Sequence, residues 1–137
     1  MATSFTVIEN GQPIELPAEI VDGRVRIPAG DVAAGLGWDL KEQGLCRGDT
    51  CVPVSDRDSV VVDGAIDLEG LAGALGRPIA IDAGEGAAAL GTPVTDRTAR
   101  LESQQAPDFE LPDLDGTLHS LSAHRGKKVL LIAHASW

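Results

Sequence analysis

The sequence predicts an α+β protein in which a small repeat-built α/β domain precedes a β-hairpin and a further strand. Short apolar runs of strand length alternate with two short helical patterns. Gly (16) and Pro (8) are frequent, which favours short elements joined by tight turns. The expected boundaries are 1–82 for the first domain, 83–105 for a linker and 106–137 for the C-terminal segment. Within the linker a short helix is open over residues 86–90 or over residues 96–103.

An internal repeat organises the first domain, as strand, short helix and strand twice over. The dipeptides Asp22-Gly23 and Asp63-Gly64 each open a copy, and a short helix closed by Leu-Gly and an extended segment follow. Asp-Gly favours a turn because Gly adopts positive φ without strain. The first helix is predicted to begin at Asp31, as its N-cap, and the second at Asp67. Gly37 and Gly76 are placed as C-cap glycines.

Strand candidates surround these two helices. Residues 24–27 (Arg-Val-Arg-Ile) alternate polar and apolar side chains, as a half-buried strand should. The first strand candidate is followed by the turn signal Asn10-Gly11. The strand candidates are residues 5–8, 24–27, 51–54, 60–62 and 79–81.

Three motifs in residues 5–82 carry a family resemblance. Asn10-Gly11-Gln12-Pro13-Ile14 is followed by residues 21–28 (Val-Asp-Gly-Arg-Val-Arg-Ile-Pro) and by residues 35–38 (Gly-Leu-Gly-Trp). The pattern resembles the copper amine oxidase N-terminal-like domain, with Ile-Pro where that family usually has Val-Pro. The resemblance implies a packing or interaction module that has no copper ligands and no catalytic groups in this pattern.

The C-terminal segment predicts a hairpin followed by a buried strand. Residues 109–111 and 117–121 are predicted to pair across a turn at Asp115-Gly116. Residues 122–126 are expected to form a turn or a single helical turn. The apolar run that begins at Val129 and ends at Ala133 (residues 129–133) is typical of a strand buried on both faces of a parallel sheet.

This order of motifs resembles the opening of the peroxiredoxin and TlpA-like redoxin family, which has a thioredoxin-like fold. Residues 106–109 (Ala-Pro-Asp-Phe) match its entry motif, and residues 114–116 match its hairpin. Residues 135–137 (Ala-Ser-Trp) match the motif that runs into the catalytic cysteine at a helix N-terminus, where free backbone N–H groups lower the thiol pKa. The resemblance implies an incomplete redoxin start.

The function expected from this resemblance is that of a catalytically inactive N-terminal part of a thiol- or selenol-dependent oxidoreductase. The full-length parent would reduce peroxides or disulfides, with a thiol reductant as partner and no cofactor. The alternative is a non-enzymatic interaction or oligomerisation module whose partner is unknown. The two differ in whether the parent carries a reactive residue after the Ala-Ser-Trp motif.

The sequence ends one residue before the position expected for the nucleophile. Three explanations are open: a deliberate cut, a nonsense truncation, or a UGA codon that encodes selenocysteine and is read as a stop. The third is favoured because it predicts a stop at the catalytic position. His134, Ser136 and Trp137 are the residues expected near the missing nucleophile. His134 is either an ordinary strand-end histidine or a group that tunes a neighbouring thiolate or selenolate.

Cys46 and Cys51 are the two cysteines of the chain. They are expected at two strand ends joined by a four-residue turn, so that they face each other within disulfide reach. Two interpretations are open: a redox pair that passes electrons to the redoxin centre, or small buried residues with an incidental bridge. The C-x4-C spacing without a second cysteine pair argues against zinc, and no metal site is expected.

Charge and hydropathy limit the partners. The net charge of −10 argues against nucleic acid and against an anionic membrane surface. Residues 1–5 carry no signal-like pattern, and a cytoplasmic location is predicted. Because residues 129–133 should need cover, we expect them to join the N-terminal sheet, to pair with a second copy, or to remain disordered. Homodimer formation through this strand is the favoured outcome.

Overall fold

The computed structural model describes residues 3–135 and shows an α+β protein. The chain divides into two units at the Thr98–Ala99 boundary, and each is described by itself. The strands of the first unit are β1 (Thr3–Glu9), β2 (Gln12–Val21), β3 (Arg24–Pro28), β4 (Asp39–Lys41), β5 (Gly44–Arg47), β6 (Thr50–Val52), β7 (Val61–Val62), β8 (Ala65–Asp67), β9 (Ile79–Asp82) and β10 (Ala87–Leu90). Its helices are α1 (Ala29–Leu36) and α2 (Leu68–Ala74), and α3 (Val94–Glu102) crosses the boundary.

A seven-stranded mixed sheet forms the frame of the first unit. The strand order is β7-β8-β3-β2-β1-β10-β9. Neighbours are antiparallel except β1 and β10, which run parallel with Val7 opposite Ala88. The short strands β4, β5 and β6 form a separate antiparallel sheet in that order.

Three Asx-Gly turns set the hairpins of the large sheet, as the sequence predicts. Asn10-Gly11 joins β1 to β2, Asp22-Gly23 joins β2 to β3, and Asp63-Gly64 joins β7 to β8. Both residues of each pair have positive φ, between 51° and 81°. This is the type I′ conformation, whose twist matches that of the flanking strands.

The core of the first unit lies between one face of the sheet and the two short helices. Phe5 and Val7 of β1 are fully buried, and so are Leu68 and Leu71 of α2. The further aliphatic side chains of the cluster are Leu16, Ala18, Val25, Ile27, Val32, Leu36, Leu45, Val60, Ile66 and Ala88. The core is therefore mainly aliphatic, and Phe5 and Trp38 are its aromatic members.

The helix ends confirm some of the sequence predictions and correct others. Asp67 caps α2 by accepting a hydrogen bond from the Gly70 N–H (2.9 Å). Gly37 is the C-cap of α1, with a φ of 73°, whereas the C-cap of α2 is Leu75 and the predicted Gly76 follows it with a φ of 60°. The prediction that Asp31 caps α1 is wrong, because the helix begins directly after Pro28 at the end of β3. Asp31 lies in the first turn, where its charge still complements the helix dipole.

The segment expected to be a linker, residues 83–105, contains a strand of the main sheet. β10 lies between β1 and β9, and its Ala88 and Leu90 are 3% and 4% exposed. A helix at residues 86–90, which the sequence left open, is therefore excluded. The other open helix, over residues 96–103, corresponds to α3. The alanine-rich run carries no strand signal of its own, and the neighbouring strands impose its conformation.

The second unit has a hairpin and a 3-10 turn, as predicted. β11 (Glu110–Pro112) pairs with β12 (Leu118–Ser120), and the 3-10 turn spans Leu121–His124. The strand predicted at residues 129–133 is not formed: within the described residues this run has no secondary structure and pairs with no strand. An extended run forms a strand only when a neighbour satisfies its backbone groups.

Candidate functional site

Cys46 and Cys51 form a disulfide across the β5–β6 hairpin. The two residues are direct register partners, with their Cα atoms 4.0 Å apart. The strands extend to Arg47 and Thr50, so the turn consists of Gly48 and Asp49 alone, shorter than the predicted four residues. Gly48 has a φ of 58°, which suits the first central position of a tight hairpin turn.

The two sulfur-bearing residues have different environments. Cys51 is exposed, whereas Cys46 retains only 3% of its surface. On the other side of β5, Cys46 is the register partner of Asp39, which is exposed. One cysteine therefore faces solvent, and the other lies in the core with a carboxylate-bearing residue beside it in the small sheet.

A buried ion cluster includes Arg47, the residue that follows Cys46 in β5. Glu9 of β1 is 7% exposed, and its Oε1 accepts hydrogen bonds from Arg47 (3.2 Å) and from Arg77. Arg77 also donates to the carbonyl oxygens of Gly91 (2.6 Å) and Leu90 (3.4 Å). A buried carboxylate is tolerated when it is paired in this way. The cluster ties the disulfide hairpin to the main sheet through Arg47.

Arg47 also contacts Trp38. Its guanidinium carbon lies 4.5 Å from the centre of the indole ring, within the range of a cation–π interaction. Trp38 is 6% exposed, and its Nε1 has no hydrogen-bond partner among the described residues. Sequence reasoning missed this arrangement because Glu9 and Arg77 are 68 residues apart. No local pattern links them.

Asp67 and Arg24 form a second, structural pair. Arg24 donates two hydrogen bonds to the carboxylate, at 2.8 Å and 2.7 Å. Burial raises the pKa of Asp67, but hydrogen bonds from Arg24 and from the Gly70 N–H outweigh burial and hold the pKa below its usual range. The charged carboxylate thus stabilises the start of α2.

The second unit carries a polar cluster at its hairpin. Asp113 accepts hydrogen bonds from His119 Nε2 (2.8 Å) and from the backbone N–H groups of Thr117 (2.9 Å) and Asp115 (3.0 Å). The bond from His119 is the main reason that the pKa of Asp113 is lowered. These contacts fix the loop between β11 and β12.

The residues predicted near the missing nucleophile are only partly within the structure. His134 is exposed and lies in an irregular segment. Ser136 and Trp137 lie outside the described residues. The role predicted for the three residues stays a prediction.

Two kinds of feature are absent from residues 3–135. No group of three or more His, Cys, Asp or Glu side chains in this range is arranged to hold a metal ion. No helix in the same range has the length and apolarity needed to cross a membrane.

Comparison of the chain with protein-family models, with curated proteins and with solved structures finds no match.

Proposed function

We propose that residues 106–137 are the opening segment of a redoxin domain. The protein is then a thiol- or selenol-dependent oxidoreductase that reduces peroxides or disulfides. The reactive residue directly follows the Ala-Ser-Trp motif, and a thiol reductant returns it to its active form. In this proposal the N-terminal unit is a packing or interaction module that takes no part in the reaction of the redoxin domain, and the protein is cytoplasmic.

The observation that carries the proposal is the absence of a core from the second unit. No residue between 99 and 135 is buried. Leu130, Leu131 and Ile132 are 84%, 69% and 75% exposed, although they form an uninterrupted apolar run. Such a run is an association hazard when it stays uncovered, so it is expected to be one strand of a larger sheet. The order hairpin, helical turn and apolar run is also the order in which a redoxin domain begins.

The experiment is to express the coding region through the residues that follow Trp137, with cysteine placed directly after that residue. A matched protein carries serine at the same position. The cysteine protein should consume peroxide when supplied with a thiol reductant, and the serine protein should not. The 137-residue chain serves as a second inactive control.

Two results would contradict the proposal. One is a downstream reading frame that encodes no thioredoxin-like segment. The other is equal peroxide consumption by the cysteine and serine proteins, since the reaction would then not depend on the residue after the motif.

The same exposed run favours a second candidate function, that of an association module. Four consecutive apolar side chains, residues 129–132, are at least half exposed. Pairing of this run with the same run of a second copy would satisfy its backbone and cover its side chains. The 137-residue chain should then sediment as a homodimer.

A charge placed in this run tests the association. Leu130→Lys should convert the dimer to a monomer. Leu101→Lys is the matched control, because Leu101 is 79% exposed on α3 and does not belong to the run. A wild-type chain that sediments as a monomer at all accessible concentrations would exclude this function.

A further inference from the structure

The Cys46–Cys51 bond does not join distant parts of the chain. The β5–β6 ladder already places the two residues opposite each other, and they are only five positions apart in sequence. A disulfide stabilises a fold mainly by restricting the unfolded chain, and the restriction is smallest for short loops. The bond is therefore expected to contribute little to folding, and its presence requires another explanation.

We propose that Cys46 and Cys51 are a thiol–disulfide exchange site whose dithiol form reduces disulfide substrates. The proposal concerns the N-terminal unit and does not depend on the redoxin proposal. In the folded hairpin the two sulfurs are held side by side, so closing the disulfide costs little conformational entropy. In the folded hairpin the disulfide form is therefore favoured over the dithiol form. The dithiol can consequently pass two electrons to a substrate disulfide.

The different burial of the two cysteines assigns their roles. Cys51 is exposed, so an incoming disulfide can reach its sulfur. Cys46 is 3% exposed and has Asp39 as its register partner on β4. Burial keeps an incoming disulfide away from the Cys46 sulfur. Cys51 is therefore the attacking residue, and Cys46 is the resolving residue.

The reaction proceeds in two displacements. The Cys51 thiolate attacks one sulfur of a substrate R–S–S–R′, which forms a mixed disulfide between Cys51 and R and releases R′–S⁻. Cys46 then loses its proton to solvent, and its sulfur attacks the Cys51 Sγ, which closes the Cys46–Cys51 bond and releases R–S⁻. The hairpin loses two electrons, and the substrate gains them as its disulfide becomes two thiolates. A dithiol reductant returns the hairpin to its reduced form.

The test uses the 137-residue chain, reduced with tris(2-carboxyethyl)phosphine and desalted. Dithiobis(nitrobenzoate) is the disulfide probe, and the released thionitrobenzoate is followed by absorbance. The wild-type dithiol should release two equivalents per chain. Cys46→Ser should release one equivalent and keep an adduct on Cys51, seen by mass spectrometry. Cys51→Ser should react about tenfold more slowly than Cys46→Ser, because buried thiols react slowly.

Oxidised glutathione tests the direction of electron flow. The reduced chain should convert to the disulfide and release reduced glutathione. Survival of the free dithiol in excess oxidised glutathione would overturn the proposal, as would a wild-type chain that stops at one equivalent of thionitrobenzoate.

Alkylation of the wild-type dithiol separates reactivity from folding, since it needs no substitution. Brief treatment with iodoacetamide should label Cys51 about tenfold more than Cys46. Equal labelling of the two residues, with circular dichroism unchanged, would overturn the assignment of Cys51 as the attacking residue.

Discussion

The two units of the chain contain similar turn sequences and differ in whether the resulting hairpins become buried. Both have Asx-Gly turns with positive φ at the glycine and both form hairpins at them. In the first unit the apolar faces of these hairpins meet two helices and become buried. In the second unit Leu111 and Leu118 remain 58% and 59% exposed. Turn chemistry therefore specifies where the chain reverses, and burial needs additional elements.

The contrast is sharpest for two apolar runs. Residues 87–90 are mostly alanine and form a strand, because β1 and β9 lie on either side. Residues 129–133 have much higher hydrophobicity and stay irregular in the described structure. Sheet formation thus follows the availability of a neighbouring strand more closely than the composition of the run.

The largest effect is expected from removing a core side chain. Leu71→Ala should lower the free energy of unfolding by about 2 to 5 kcal/mol, since Leu71 is fully buried between α2 and the sheet. Leu130→Ala is the matched substitution in the second unit and should change the free energy of unfolding by less than about 0.5 kcal/mol. Urea denaturation at low protein concentration measures both. Similar losses from the two variants would show that residues 129–132 pack in a core.

Two glycines of α2 provide the next test. A Cβ on Gly70 would lie 1.9 Å from the backbone oxygen of Ser59, whereas a Cβ on Gly73 would meet nothing within 4 Å. Gly70→Ala should therefore destabilise the first unit by about 1 to 3 kcal/mol through overpacking. Gly73→Ala should stabilise it by about 0.5 to 1 kcal/mol, because alanine loses less backbone entropy in a helix. Thermal unfolding that moves in the same direction for both would contradict the close approach of α2 to Ser59.

The parts of the fold that the sequence predicted are those with local causes. The Asp-Gly turns and the glycines after the helices depend on backbone conformations that few residues adopt. The identity of one or two residues is therefore enough to predict them. The facing cysteines were also predictable from local sequence, because their spacing fits a hairpin. In contrast, β10 and the contact of Glu9 with Arg77 depend on residues far away in sequence. No local pattern contains that information.

The Asp67–Arg24 pair should make the first unit acid-sensitive. Asp67→Asn keeps an N-cap but loses the charged hydrogen bonds, and should cost about 1 kcal/mol at neutral pH. Folding lowers the pKa of Asp67, so its contribution is present above the pKa of the unfolded chain and is lost as the pH falls through the folded value. The difference between wild type and Asp67→Asn should therefore shrink below about pH 4. If the difference in the free energy of unfolding stayed constant down to pH 2, the charge of Asp67 would contribute nothing to stability.

The smallest effect is expected at the hairpin of the second unit. His119 and backbone N–H groups lower the pKa of Asp113, so the β11–β12 loop should be ordered at neutral pH and loosen as acid protonates this carboxylate. Asp113→Ala should increase amide exchange at Thr117 and leave the amides of β1 unchanged, because the loop contributes no buried side chain. Nuclear magnetic resonance of the 137-residue chain measures both regions in one sample. Faster exchange in β1 would show that the two units fold as one cooperative body, which would end the distinction between a packed unit and an unpacked one.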